Sequence, residues 1–177
     1  MSTVALSIGS NLGDREAALV LAVRRFAELP GVADVRTSSV YETDPVGGVE
    51  QPDFLNIVVV GEMTGADAAG QARQLLDLAR TVEEELDRVR VVRWGPRTVD
   101  VDILAVGDLG QDDPELTVPH PRIGERAFVL VPWAEVDPIF EVPGLGRVAE
   151  LLAALPPEEV AGVRRCGPPL QDRTLDR

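Results

Sequence analysis

The chain has 177 residues, 45% of them hydrophobic, and a formal net charge of −13, which suits one domain with a sizeable core and argues against broad binding to nucleic acid or to an anionic membrane. No apolar run approaches the roughly 18 residues of a membrane span, and the first residues lack the basic, apolar and small-residue pattern of a secretory signal. The one cysteine, Cys166, has no partner for an internal disulfide, and these facts together favour the cytoplasm; a monomer is the expectation.

Thr3 to Ile8 alternates, with Val4, Leu6 and Ile8 on one face, and predicts a first strand. The turn Gly9-Ser10-Asn11-Leu12-Gly13-Asp14 offers Asn11 or Asp14 as a helix cap. Ala18, Leu21, Ala22, Arg25, Phe26 and Leu29 then recur at helical spacing with one polar breach, until Pro30-Gly31. Val32 to Tyr41 predicts a second strand region with a bulge. Glu42 to Asp53 has no period and reads as a long surface loop, of a length that is usually functional or disordered. Phe54 to Gly61 is apolar enough for a central strand. Ala68, Ala72, Leu75, Ala79, Val82 and Leu86 mark a second helix, Asp87 to Arg97 an arginine-rich loop, and Val99 to Val106 a fourth strand.

The order β-α-β-β-α-β predicts an α+β, ferredoxin-like sandwich: an antiparallel sheet with helices on one face. Residues 1–155 are expected to form this single domain. Its C-terminal appendage holds an extended piece near Leu116 to Val118, a helical turn near Phe128 to Trp133 and a helix from Val148 to Leu155. Residues 156–177 read as a loose tail.

Asp100 and Asp102 are the most informative residues. Side chains at i and i+2 of a strand share a face, roughly 7 Å apart. Aspartate is depleted in strands, and two carboxylates on one face repel and are costly to bury alone. Mg²⁺ resolves this, taking one or two carboxylates together with water and substrate phosphates. Arg88, Arg90, Arg93 and Arg97 lie just upstream, and arginine's planar fork binds phosphate bidentately. Carboxylates for metal beside guanidiniums for phosphate suggest Mg²⁺-dependent phosphoryl chemistry. The chain has no lysine, which excludes a P-loop and lysine-based covalent chemistry. His120, between two prolines, is either structural or a ligand contact. Trp94, Phe54 and Phe128 are either core or a sandwich for a flat heterocycle. Gly144 to Ala149 mimics a dinucleotide fingerprint but lacks a following βαβ unit, and is assigned to a turn.

Four stretches carry a resemblance: Ala5 to Gly13 (ALSIGSNLG), Ser38 to Asn56 (SSVYETDPVGGVEQPDFLN), Arg88 to Leu104 (RVRVVRWGPRTVDVDIL) and Leu116 to Leu130 (LTVPHPRIGERAFVL). In order and spacing they resemble the 6-hydroxymethyl-7,8-dihydropterin pyrophosphokinases of folate biosynthesis. The resemblance implies transfer of pyrophosphate from ATP, the co-substrate, to the pterin hydroxymethyl group, with AMP as the other product. It implies two Mg²⁺ ions on Asp100 and Asp102, and Arg88 and Arg97 acting on the phosphates. Glu83, Arg90, Arg93, Ile103, Thr117, His120 and Arg126 fall at nucleotide-side positions. Thr43, Asp44, Val46, Phe54, Asn56, Trp94 and Phe128 fall at pterin-side positions, with Phe54 and Phe128 stacking on the ring and Asn56 reading its amide edge. Small-molecule substrates are then the only partners implied.

Two departures stand out. Asp44 replaces a frequent proline, and the arginine loop is about one residue shorter between Arg90 and Arg93 than in some members. The competing readings are another Mg²⁺-ATP transferase, such as a nucleotidyltransferase releasing pyrophosphate, and a non-catalytic ferredoxin-like binding domain.

Overall fold

The computed structural model describes residues 1–45, 50–86 and 98–170. Strand β1 (Ser2–Ser10) is buried over its last seven residues and forms the middle of the sheet. Helix α1 (Arg15–Ala27) starts at Asp14, whose carboxylate accepts a hydrogen bond from the Ala17 backbone N–H at 3.0 Å. Asn11, the other candidate cap, is buried and donates to Gln51 Oε1 and to the Pro52 carbonyl, both at 2.9 Å. The inner stripe of α1 is Ala18, Leu19, Ala22, Val23 and Phe26. Leu21, expected on that stripe, is only half-buried; adjacent helix positions are 100° apart, so Leu19 and Val23 occupy the core side instead.

The strand region expected from Val32 to Tyr41 is two strands, β2 (Val32–Thr37) and β3 (Val40–Thr43), both antiparallel to β4 (Phe54–Met63). The break falls at two buried serines. Ser38 N–H donates to the Val58 carbonyl at 2.9 Å, while its hydroxyl accepts from Val58 N–H at 3.0 Å. A side chain thus replaces a backbone acceptor and the ladder is interrupted without an orphaned donor.

Helix α2 (Ala68–Glu85) is capped by Asp67 and buries Ala72, Leu75, Leu78, Ala79 and Val82. Strand β5 (Asp100–Val106) follows, then the short strands β6 (Gln111–Asp112) and β7 (Thr117–Val118), which pair with each other. Helix α3 (Ala127–Val136) is longer than the expected single turn. It contains Pro132, which forfeits an intrahelical bond, yet buries Ala127, Val129, Leu130 and Trp133. A hairpin of β8 (Glu141–Val142) and β9 (Gly146–Arg147) leads into α4 (Val148–Ala153). Residues 157–170, expected from sequence to be loose, carry α5 (Pro157–Ala161), β10 (Arg164–Gly167) paired with β3, and a fully buried Leu170. Leu170 N–H donates to Thr37 Oγ1 at 2.9 Å, so burial and a buried hydrogen bond tie this end to the sheet.

The sheet order is β10-β3-β4-β1-β5, with β2 also on β4, and the pairs are antiparallel. This is the ferredoxin-like arrangement. On one face Leu6, Ile8, Ile57, Val59 and Ile103 pack against α1 and α2. On the other, Ala5, Val58, Val60, Leu104 and Ala105 pack against Val129, Leu130 and Trp133 of α3. The appendage therefore covers part of the second face and leaves the rest of it for other use.

Candidate active site

The uncovered part of that second face carries the polar residues. Asp100 lies opposite Gly9, and Gly9 lies opposite Asn56, so carboxylate, glycine and carboxamide form one row across three strands. In the neighbouring row Asp102 lies opposite Ser7, and Ser7 opposite Val58. Opposed residues of antiparallel strands share a face, so the two aspartates and Asn56 look out on the same side. Gly9 keeps the row open: a Cβ there would come within 2.9 Å of Asn56 Oδ1 and 3.8 Å of Phe54 Cδ1.

Asn56 is buried, 4% exposed, and its Nδ2 donates to Thr43 Oγ1 at 2.8 Å. That bond fixes the carboxamide and turns Oδ1 over Gly9. Thr43 is opposite Phe54, and Phe54 is half-buried at the start of β4. Thr43, Phe54 and Asn56 therefore form one corner of the site.

The other corner is charged. Arg126 Nη1 donates to Asp102 Oδ2 at 3.1 Å, and His120 Nε2 lies 4.0 Å from the same oxygen. The Arg126 guanidinium sits 5.5 Å over the centroid of the Phe128 ring, a cation–π contact. His120 is held by its backbone N–H, which donates to the Leu104 carbonyl at 2.9 Å. Its Nδ1 accepts from Arg122 N–H at 3.1 Å, so in the neutral ring the proton is on Nε2, the nitrogen facing Asp102. Burial pushes the imidazole down from its ordinary value, with the negative charge of Asp102 opposing. Burial also pushes the Asp102 carboxyl up, and the charge of Asp100 adds to it; His120 and Arg126 pull the other way without cancelling the effect.

The Asp102 carboxyl thus stays raised even with Arg126 in contact. The donors of the aspartate pair are hard carboxylate oxygens, which suit Mg²⁺. Among the described residues no group of three or more His, Cys, Asp or Glu side chains could hold a metal on its own. Two carboxylates alone fit an ion that completes its shell with water and phosphate oxygens.

Other expected positions lie further out. Glu83, near the end of α2, accepts from Val101 N–H at 3.5 Å. Thr117 Oγ1 donates to Asp112 Oδ1 at 3.3 Å within the β6–β7 hairpin. Ile103 is buried in the helix-side core, on the face opposite the aspartates, so only its backbone is on offer to a nucleotide. Asp44 is exposed and paired with Arg164. Val46, Arg88, Arg90, Arg93, Trp94 and Arg97 lie outside the described residues. Sequence reasoning missed Gly9. Its signal was available in principle, since any strand pairing that aligns the aspartates with Asn56 must pass through a residue between them.

A model of the family "7,8-dihydro-6-hydroxymethylpterin-pyrophosphokinase (HPPK)" matches residues 5–138. A 2-amino-4-hydroxy-6-hydroxymethyldihydropteridine pyrophosphokinase of Mycobacterium bovis is 42% identical over 176 residues, covering 93% of this chain and 89% of the relative. The Bacillus subtilis protein of the same name is 44% identical over 131 residues, 74% of this chain and 75% of its own. A crystal structure of Plasmodium falciparum HPPK-DHPS with pterin and p-hydroxybenzoate superposes with a TM-score of 0.60 at 17% identity, covering 86% of this chain and 42% of that one. That structural likeness concerns the fold.

Proposed function

Because the chain belongs to the 7,8-dihydro-6-hydroxymethylpterin-pyrophosphokinase family, we propose that it transfers the terminal pyrophosphate of ATP to the hydroxymethyl group of 6-hydroxymethyl-7,8-dihydropterin, giving AMP and the pterin pyrophosphate for folate biosynthesis. The observation that carries this reading is the single row Asp100–Gly9–Asn56. It sets a phosphate-side carboxylate and a heterocycle-reading carboxamide on one face, separated by a residue with no side chain.

The pterin enters at the Asn56 corner. Thr43 takes one Nδ2–H, and Oδ1, turned over Gly9, accepts from a ring N–H. A ring lacking that donor leaves a buried acceptor unpaired, which is how a polar pocket discriminates strongly between flat heterocycles. Phe54 and Phe128 flank the ring. Asp44, Val46 and Trp94 complete this side by family resemblance.

The triphosphate would lie at the aspartate corner, where Asp100 and Asp102 would hold two Mg²⁺ ions. Bound there, Mg²⁺ would supply charge neutralisation for the phosphates. Arg126, fixed on Asp102 and Phe128, presents a guanidinium whose remaining donors face the nucleotide. His120 offers a neutral Nε2–H. Glu83, Ile103 (through its backbone), Thr117, Arg90 and Arg93 serve the nucleotide side, and Arg88 and Arg97 stabilise charge on the transferring group. Positioning and electrostatics dominate phosphoryl transfer, so no general base is invoked. No helix among the described residues is long and apolar enough to cross a membrane. The proposed reaction uses small-molecule substrates alone, and the reading takes the enzyme as a cytoplasmic monomer.

The test is an assay with ATP, 6-hydroxymethyl-7,8-dihydropterin and Mg²⁺ that separates the nucleotide products. AMP formed only when pterin and metal are both present supports the reading. ADP or free pyrophosphate as product points to another transferase, and no turnover to a binding domain; each would overturn it.

A further inference from the structure

The connection between β3 and β4 runs from Asp44 to Asp53, and its two ends are acidic. Asp44 follows Thr43 and Asp53 precedes Phe54, the residues assigned to the pterin corner. Two carboxylates brought together at the base of a connection repel. One guanidinium meets both: Arg164 Nη2 lies 3.0 Å from Asp44 Oδ1 and 3.4 Å from Asp53 Oδ2. Arg164 is fixed by its own strand, since β10 pairs with β3 and Arg164 is opposite Glu42. Arg15 of α1 supports the same place, donating to Glu42 Oε2 at 3.1 Å and to the Asp53 carbonyl at 2.9 Å. Arg164 lies beyond residues 5–138, the span that the family model matches.

We infer that Arg164 is a positioning residue for the pterin pocket, and that the C-terminal strand is thereby part of the substrate site. Strand pairing sets Thr43 opposite Phe54; by tying Asp44 to Asp53, Arg164 keeps that last pair of the ladder from fraying, and through the Asn56–Thr43 bond it steadies the aim of the carboxamide. Both contacts are made by one guanidinium nitrogen, Nη2, which carries two N–H donors. Arg164 takes over the stiffening that a proline at position 44 would supply by fixing its backbone. The inference rests on the assignment of Thr43, Phe54 and Asn56 to the pterin.

The experiment compares Arg164→Ala, Arg164→Lys and Asn56→Ala in the ATP–pterin assay, with kcat and both KM values measured separately. The ion pairs are partly exposed, so the expected effect of Arg164→Ala is a rise of about three- to fivefold in the pterin KM, with kcat and the ATP KM unchanged and the melting temperature preserved. Arg164→Lys should recover part of the loss. The gap between wild type and Arg164→Ala should narrow at ~0.5 M salt, where such pairs are screened. If Asn56→Ala weakens pterin binding and Arg164→Ala does not, the positioning role is overturned while the pocket stands. If Arg164→Ala lowers kcat, both affinities and the melting temperature together, the residue is merely structural. If Asn56→Ala also leaves the pterin KM unchanged, the pocket assignment itself fails and the inference with it.

Discussion

The two halves of one sheet face put the same strands to opposite uses. Under α3, the residues Ala5, Val58, Val60, Leu104 and Ala105 are apolar and almost fully buried, and Trp133 and Leu130 close over them. Two to four residues further along the same strands, the face carries Gly9, Asn56, Asp100 and Asp102. The covered half gains stability from apolar burial, which is non-directional and scales with area. The uncovered half does the reverse: it places two carboxylates side by side, a cost at rest that, on the proposed reading, a divalent cation would relieve. The lesson is that the boundary between stability and chemistry here is set by where α3 begins. Its first residues, Ala127 and Phe128, follow Arg126, the residue that contacts Asp102.

The comparison can be broken at either half. The largest effect is expected from Asp100→Ala, which should lower turnover by about a thousandfold or more, as loss of a transition-state charge partner does. Thermal unfolding of that variant should be unchanged or slightly raised, because Asp102 loses a like-charged neighbour. Trp133→Ala should do the opposite. Removing a large, fully buried ring should cost roughly 3–5 kcal/mol in denaturant unfolding, while the fraction that remains folded keeps its pterin KM. Gly9→Ala probes the seam between the corners. The added methyl would press on the Asn56 carboxamide, so the pterin KM should rise by about tenfold (~1.4 kcal/mol), and the ATP KM should move much less in the same assay.

The smallest effect belongs to the bond that pins α3 to the sheet. The Tyr41 hydroxyl donates to Glu135 Oε2 at 2.7 Å. Burial, then that hydrogen bond, pushes the phenol up to about 12 from 10.0. The folded state therefore holds this proton longer than the unfolded chain does. The stability it contributes is complete below pH 10 and is lost as pH rises towards 12. Tyr41→Phe should cost about 1 kcal/mol at neutral pH and flatten the alkaline decline in stability between those two values.

Much of this was legible in the residues. The aspartate pair is conspicuous because carboxylates are rare in strands, and the alternation of β5 puts both on one face without any tertiary information. The two long helices and the β-α-β-β-α-β order follow from periodicity alone. The register of α1 did not, because Leu19 and Leu21 are equally apolar and only packing chooses between them. The break at Ser38-Ser39 depends on the backbone of Val58, and the reach of α3 on burial that outweighs Pro132. Ile103 was matched to the nucleotide by its place in a motif, yet alternation turns its side chain into the helix-side core. Arg164 carried no local signal: an exposed arginine in a charge-rich segment looks the same whether it is solvated or bridges two aspartates 120 and 111 residues away.

The central claim is that the two corners of the uncovered face divide the reaction, metal and phosphate on β5 and pterin on β4. The most direct measurement is the single-turnover rate of Asp102→Ala beside its affinity for the pterin. Turnover should fall by orders of magnitude while pterin affinity stays within about twofold of wild type, as expected where an interaction is realised only in the transition state. Near-normal turnover at saturating Mg²⁺, or an equal loss of pterin affinity, would contradict the division.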